Sequence, residues 1–162
     1  MVWEQIFGGS SMYETTLTFR TQEDYRQIRE VVQEDIRKIV GREYSFLVEV
    51  AINEAVNNAL NSNKGHKPVT LYIRVTSGNR LIIRVKDQGD GFDASKALEK
   101  ISDSDDYLFE NKLFDESGRG LSIMKSVTDK VIYNRKGNEI LLMKHLGENK
   151  QSFYLEETEV CR

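Results

Sequence analysis

Hydrophobic and polar residues recur along this chain in two periods, and the switches between them mark its elements. Tyr13, Thr15, Leu17 and Phe19 stand at every second position, which predicts a strand over 13–19. Thr21 then predicts a helix N-cap, with Tyr25, Ile28, Val32, Ile36 and Ile39 behind it at helical spacing and Gly41 as the stop. A second helix is expected over about 45–63, with Phe46, Leu47, Val50, Ala51, Ala55 and Ala59 as its apolar stripe, followed by turn chemistry over 65–68. Val69, Leu71, Ile73 and Val75, then Leu81, Ile83 and Val85, predict two strands joined by a tight turn at Ser77-Gly78-Asn79. Residues 93–117 are acidic and weakly periodic, and read as a long loop with a helical turn or two. A third helix is expected from Gly120, burying Leu121, Ile123, Met124 and Val127. Two strands, 131–134 and 139–146, close the pattern around Lys136-Gly137-Asn138.

The order is strand, two helices, two strands, loop, helix, two strands. It predicts an α+β fold, a two-layer α/β sandwich with helices on one face of a mixed sheet. The expected division is an N-terminal extension over 1–12, one domain over 13–146 and a C-terminal tail over 147–162.

Composition narrows the class. A chain of 162 residues with 39% hydrophobic and 30% charged residues fits one soluble domain rather than a disordered or fibrous chain. Net charge is −3, and Lys and Arg are scattered, so no basic stripe points to nucleic acid. The single cysteine, Cys161, precludes an intrachain disulfide and suits a reducing, cytoplasmic setting. No run approaches the roughly 20 apolar residues that span a bilayer. The first seven residues lack a basic stretch and a long apolar run, against a signal peptide; Trp3, Ile6 and Phe7 are expected to pack on the domain or a dimer mate rather than on a membrane.

Three places break the local rules, which is where function tends to lie. On the second helix, positions 47, 51, 54 and 58 share one face, so Glu54 and Asn58 continue a stripe begun by Leu47 and Ala51. Either the helix rolls and exposes them, or a carboxylate and an amide meet at a pocket edge. Asn57, Asn58, Asn61 and Asn63 crowd a helix in which asparagine is a mediocre former. By strand parity, Asp87 continues the face of Leu81, Ile83 and Val85, and Gly89 and Gly91 follow it. That is either a strand-ending turn or an acceptor at the mouth of the core, with backbone able to approach a ligand. Ser117-Gly118-Arg119-Gly120-Leu121 opens the third helix, as a hinge and cap or as a phosphate cradle.

Other chemistries lack their signatures. There is no Gly-Lys-Ser/Thr for a Walker loop, no dinucleotide-binding glycine fingerprint, no eukaryotic-type kinase signature and no nucleophile elbow. His66, His145 and Cys161 are too few for an expected zinc site.

Taken together, the three breaks resemble a known set. Glu54-Ala55-Val56-Asn57-Asn58-Ala59 resembles the N box of the GHKL ATPase superfamily, and Asp87-Gln88-Gly89-Asp90-Gly91 and Ser117-Gly118-Arg119-Gly120-Leu121 resemble its two glycine boxes. The likeness runs from about Thr15 to Leu146, and the phrase from Gly118 to Asp129 is similar to the bacterial anti-sigma-factor serine kinases. Two positions depart from the pattern: Ser62 stands where a histidine is expected, and Asn57 where Thr or Ser often precedes the metal-binding asparagine.

The resemblance implies the Bergerat-type sandwich, with ATP and Mg²⁺ as cofactors. It implies that Asn58 holds the metal and Glu54 is the general base. Asp87 would take the adenine amine, with Gly89 and Gly91 shaping the pocket. Gly118, Arg119, Gly120 and Leu121 would close over the phosphates, and 93–117 would form a lid. The implied activity is a serine/threonine kinase that phosphorylates a STAS-domain anti-sigma-factor antagonist and sequesters a sigma factor. A homodimer, formed around the first strand and helix, is implied as well. The alternative expectation is an ATP-binding partner-switch module without phosphotransfer.

Overall fold

A computed structural model describes residues 10–63, 65–91 and 116–147, of which 116–119 are described by backbone alone. The elements run β1 (Ser11–Phe19), α1 (Gln22–Val40), α2 (Arg42–Ser62), β2 (Val69–Thr76), β3 (Arg80–Lys86), α3 (Glu116–Val127), β4 (Lys130–Tyr133) and β5 (Glu139–His145). The strands form one sheet in the order β1-β2-β3-β5-β4. Helices α1 and α3 both pack on α2, which lies against β2 and β3. This is the expected α+β two-layer sandwich.

The expectation of a mixed sheet fails, because every pairing is antiparallel. Two helices separate β1 from β2, and with a reversal at each of the three connections the chain enters β2 running against β1. The crossover from β3 through α3 does return β4 in the direction of β3. Strand β5 then inserts between them and pairs antiparallel with both.

One row of inward side chains crosses all five strands: Leu17, Leu71, Val85, Ile140 and Tyr133 stand opposite one another in register. A second row carries Ile73, Ile83, Leu142 and Val131. These rows meet Ile36, Ile39, Val48, Ile52 and Val56 from the helices in the main core. Each fully buried aliphatic contributes roughly 1.5–3 kcal/mol. The sheet's other face carries a smaller cluster of Ile82, Leu141 and Met143. There Glu139 pairs with Arg84, which also lies 5.7 Å over the Tyr72 ring.

Helix α1 begins as expected. Thr21 Oγ1 accepts from the Asp24 N–H, and Asp24 accepts from the Thr21 N–H, a reciprocal capping box. Gly41 ends α1 at φ 80°, and α2 starts at once, three residues before the expected Ser45. The apolar stripe expected for α2 is also not the face that it buries. Phe46 and Leu47 are 71% and 49% exposed, and the buried face is Val48, Ala51, Ile52, Ala55, Val56 and Ala59. The helix sits between α1 and α3 as well as on the sheet, so the positions it buries are set by three neighbours rather than by one stripe. Helix α3 begins at Glu116 rather than at Gly120. Each glycine costs a helix only about 1 kcal/mol, and the burial of Leu121 and Met124 outweighs that cost. Ile123 and Val127 are only half-buried. Of the expected loop over 93–117, the segment up to 115 lies outside the described residues, as do 1–9 and the tail from 148.

Candidate functional site

The second half of α2 builds one wall. Its asparagines, indistinguishable in sequence, divide by partner. Asn53 Oδ1 accepts from the Tyr25 hydroxyl at 2.8 Å, and Asn57 Oδ1 accepts from Gln22 Nε2 at 2.9 Å, both across the α1–α2 seam. Burial, reinforced by the Glu49 carboxylate and opposed by Arg29, pushes the Tyr25 hydroxyl up to about 12, which keeps it a donor. Asn63, at the end of α2, donates to the Lys67 carbonyl. Asn58 instead lines an open cleft with Ala55, Ala59 and Ser62 of the same helix. The predicted stripe of 47, 51, 54 and 58 is the edge of the buried face: Ala51 is buried, Glu54 half-buried and Asn58 exposed at the cleft.

The opposite wall is the end of the sheet. Val85, Ile140 and Tyr133, from the row that crosses all five strands, line the cleft beside Asp87. Asp87 is 5% exposed and lies one residue past β3. Its N–H donates to the Asn138 carbonyl at 2.9 Å, continuing the β3–β5 ladder. Its Oδ1 accepts from the Gly89 N–H at 2.7 Å. Burial pushes the Asp87 carboxyl above the usual range, and the Gly89 N–H and the Lys136 ammonium oppose that rise. Burial also pushes the Tyr133 hydroxyl up to about 12. An aspartate held in such a place suits an amine donor, in a cleft whose other lining includes Ala55, Ala59, Val85 and Ile140.

The glycines of the two boxes sit where side chains would collide. A Cβ on Gly89 would lie 2.6 Å from the Ser62 carbonyl oxygen at the end of α2. Gly91 has φ +77°, and a Cβ there would overlap the Lys136 carbonyl oxygen. A Cβ on Gly120 would lie 2.6 Å from Glu54 Oε2. The first turns of α3 therefore rest directly on the N-box carboxylate.

The structure thus brings Asn58 and Asp87 into one cleft, places Gly89 against α2 and puts Gly120 against Glu54. Gly118 and Arg119 lie in the first turn of α3, and their side-chain surroundings are outside the described residues. Leu121 turns its side chain into the core at 6% exposure, which leaves only its main chain to meet a ligand. Sequence reasoning missed Tyr133, Asn138 and Ser62 as lining residues. Strand alternation from Val131 pointed Tyr133 inward, but nothing local signals that the β4–β5 turn folds back onto Asp87. His66 and His145 are exposed, in a loop and at the end of β5.

Comparison with protein families matches residues 20–144 to the histidine kinase-like ATPase domain, a span that holds the N-box residues, both glycine boxes and the β4–β5 turn. Comparison with curated proteins finds no match. Among the described residues, no helix is long and apolar enough to cross a membrane. The match covers more than half of the chain and runs through every wall of the cleft, so the chain belongs to the family of histidine kinase-like ATPase domains, whose members bind ATP.

Proposed function

We propose that the chain is an ATP-dependent protein serine/threonine kinase that acts as an anti-sigma factor by phosphorylating a STAS-domain antagonist. The observation that carries the reading is a carboxylate, Glu54, one helical turn before the cleft amide Asn58 and against the second glycine box at Gly120. A pocket that only held nucleotide would need Asp87 and Asn58 but has no use for a carboxylate at the phosphate end.

In this reading Asp87 accepts a hydrogen bond from the adenine amine, and the start of α3 offers N–H groups and the positive end of its dipole to the phosphates. Glu54 accepts the proton of a substrate serine hydroxyl as the serine oxygen bonds to the γ-phosphorus. The bond from that phosphorus to the β,γ-bridging oxygen breaks, and ADP leaves with the electron pair. Phosphoryl transfer asks mainly for positioning and charge neutralisation, and general base assistance contributes about 10²–10⁴-fold.

Among the described residues, no three His, Cys, Asp or Glu side chains gather as a metal site. A single amide oxygen fits Mg²⁺, which keeps several waters and takes its other ligands from phosphates. Asn58 would hold the ion, which neutralises charge on the phosphates when bound.

The test combines ATP titration, with and without Mg²⁺, and transfer of labelled γ-phosphate to a STAS-domain protein. The reading expects saturable binding and phosphate on a serine of the acceptor, with Glu54→Gln binding ATP but transferring phosphate about 10²–10⁴-fold more slowly. If Glu54→Gln still controls the partner while Asp87→Asn does not, the chain is a nucleotide-set partner switch without transfer.

A further inference from the structure

The β4–β5 turn does more than reverse the chain. Asn134, the residue after β4, accepts on Oδ1 from three successive N–H groups: Gly137 at 2.8 Å, Asn138 at 3.1 Å and Glu139 at 3.2 Å. Its Nδ2 donates to Asn138 Oδ1 at 2.7 Å. One side chain thereby determines the path of the turn and the rotamer of Asn138.

Asn138 in turn holds Asp87 on both main-chain groups. Its carbonyl accepts from the Asp87 N–H at 2.9 Å, and its Nδ2 donates to the Asp87 carbonyl at 3.2 Å. The same turn meets the first glycine box again where Gly91 crosses the Lys136 carbonyl. With its backbone gripped by Asn138 and Oδ1 held by the Gly89 N–H, the Asp87 carboxylate has one orientation, and an incoming amine meets its other oxygen. Asn138 lines the cleft, whereas Asn134 stands behind it.

We propose that Asn134 is a positioning residue for purine recognition, acting through Asn138 to aim the Asp87 carboxylate. The inference rests on the reading of Asp87 as the partner of the purine's exocyclic amine. It assigns discrimination among nucleotides partly to a turn that does not touch them. A carboxylate whose supporting amide is removed keeps its charge but loses its aim. The loss should therefore fall on ligands that carry the amine and spare those that lack it.

The experiment compares affinities for ATP and for inosine triphosphate, which has a carbonyl in place of the amine, in the full chain. The variants are Asn134→Ala, Asn134→Asp, Asn134→Ser and Asp87→Asn, each checked for folding by thermal unfolding. The wild type is expected to prefer ATP. Asn134→Ala is expected to weaken ATP by about tenfold, the worth of roughly one well-aimed hydrogen bond, and to leave inosine triphosphate nearly unchanged. Asn134→Asp keeps the acceptor for the three N–H groups but loses the donor to Asn138 Oδ1, so it is expected to hold the turn and still lose the preference. If Asn134→Ala fails to fold, Asn134→Ser, with a shorter acceptor, supplies the same ratio. Equal losses for both nucleotides, or an unchanged preference, would overturn the role of Asn134. A preference lost in Asp87→Asn but kept in Asn134→Ala refutes the positioning role alone. A wild type without preference refutes the reading of Asp87 and the proposal with it.

Discussion

Glu54 Oε2 lies 2.6 Å from the point where any side chain at Gly120 would place its Cβ. The N box and the second glycine box, 66 positions apart in sequence, are in van der Waals contact through a residue with no side chain. Gly120→Ala is a small change in a helix, and the neighbour it displaces is the end of a flexible side chain. The fold should hold, and ATP affinity should change by no more than a few-fold. Phosphotransfer should fall by about 10²-fold, since a displacement of about 1 Å costs that much in a positioned reaction. Parallel measurement of nucleotide affinity and single-turnover transfer checks this, and equal losses in both would mean that the contact only shapes the pocket.

Asp87 carries an opposite signature. Burial raises its carboxyl above the usual range, so the folded chain holds a proton at pH values where the unfolded chain has released one. Stability therefore falls as pH rises from the ordinary carboxylate range through the raised value, and the penalty is complete above it. Asp87→Asn removes that ionisation, so the variant should unfold at a higher temperature than wild type at neutral pH. The gap should close as pH falls toward the ordinary carboxylate range. The same variant should lose about 10- to 100-fold in ATP affinity, the worth of a hydrogen bond to a charged group. Wild-type affinity should decline as pH falls through the raised value. Thermal unfolding and ATP titration over one pH series test both, and a variant less stable than wild type at neutral pH would sink the argument.

The candidate residues stood out in the sequence because each breaks a local rule: Glu54 and Asn58 on an apolar stripe, and Asp87 at the end of an aliphatic strand. The element order was legible too, since period and turn chemistry agree along most of the chain. Pairing was not. Nothing within β3 or β4 says that β5 will slide between them, so the antiparallel sheet escaped local reasoning. Phe46 and Leu47 failed for a related reason: hydrophobicity marks what is able to be buried, and three neighbouring elements decide what is. The asparagines of α2 show the limit most clearly. Asn53, Asn57 and Asn58 differ only in whether Tyr25, Gln22 or the cleft stands opposite.

That division predicts different results from similar substitutions. Tyr25→Phe removes the donor to Asn53 and leaves a half-buried amide short of a partner. It should cost about 1 kcal/mol, a fall of roughly 2–4 °C in unfolding temperature for a chain of this size. ATP affinity should be nearly unaffected, because neither residue lines the cleft. A loss of affinity at unchanged stability would show that the α1–α2 seam reaches the nucleotide.

Asn58→Ala should behave in the reverse way. Asn58 is exposed at the cleft, and alanine is the better helix former, so the unfolding temperature should hold or rise slightly. If its amide oxygen is a ligand of the ion, the loss should appear only where the ion takes part. ATP affinity in Mg²⁺ should drop by about tenfold or more, and affinity in chelator should match that of wild type. The comparison separates a metal ligand from a residue that simply shapes the wall, since a shaping residue would weaken both conditions alike. An Asn58→Asp variant sharpens the test. A carboxylate is also a hard oxygen ligand, so it should retain binding in Mg²⁺ while weakening it in chelator, where the new charge faces the phosphates unscreened. Equal affinities for Asn58→Ala and wild type in Mg²⁺ would remove Asn58 from the metal site.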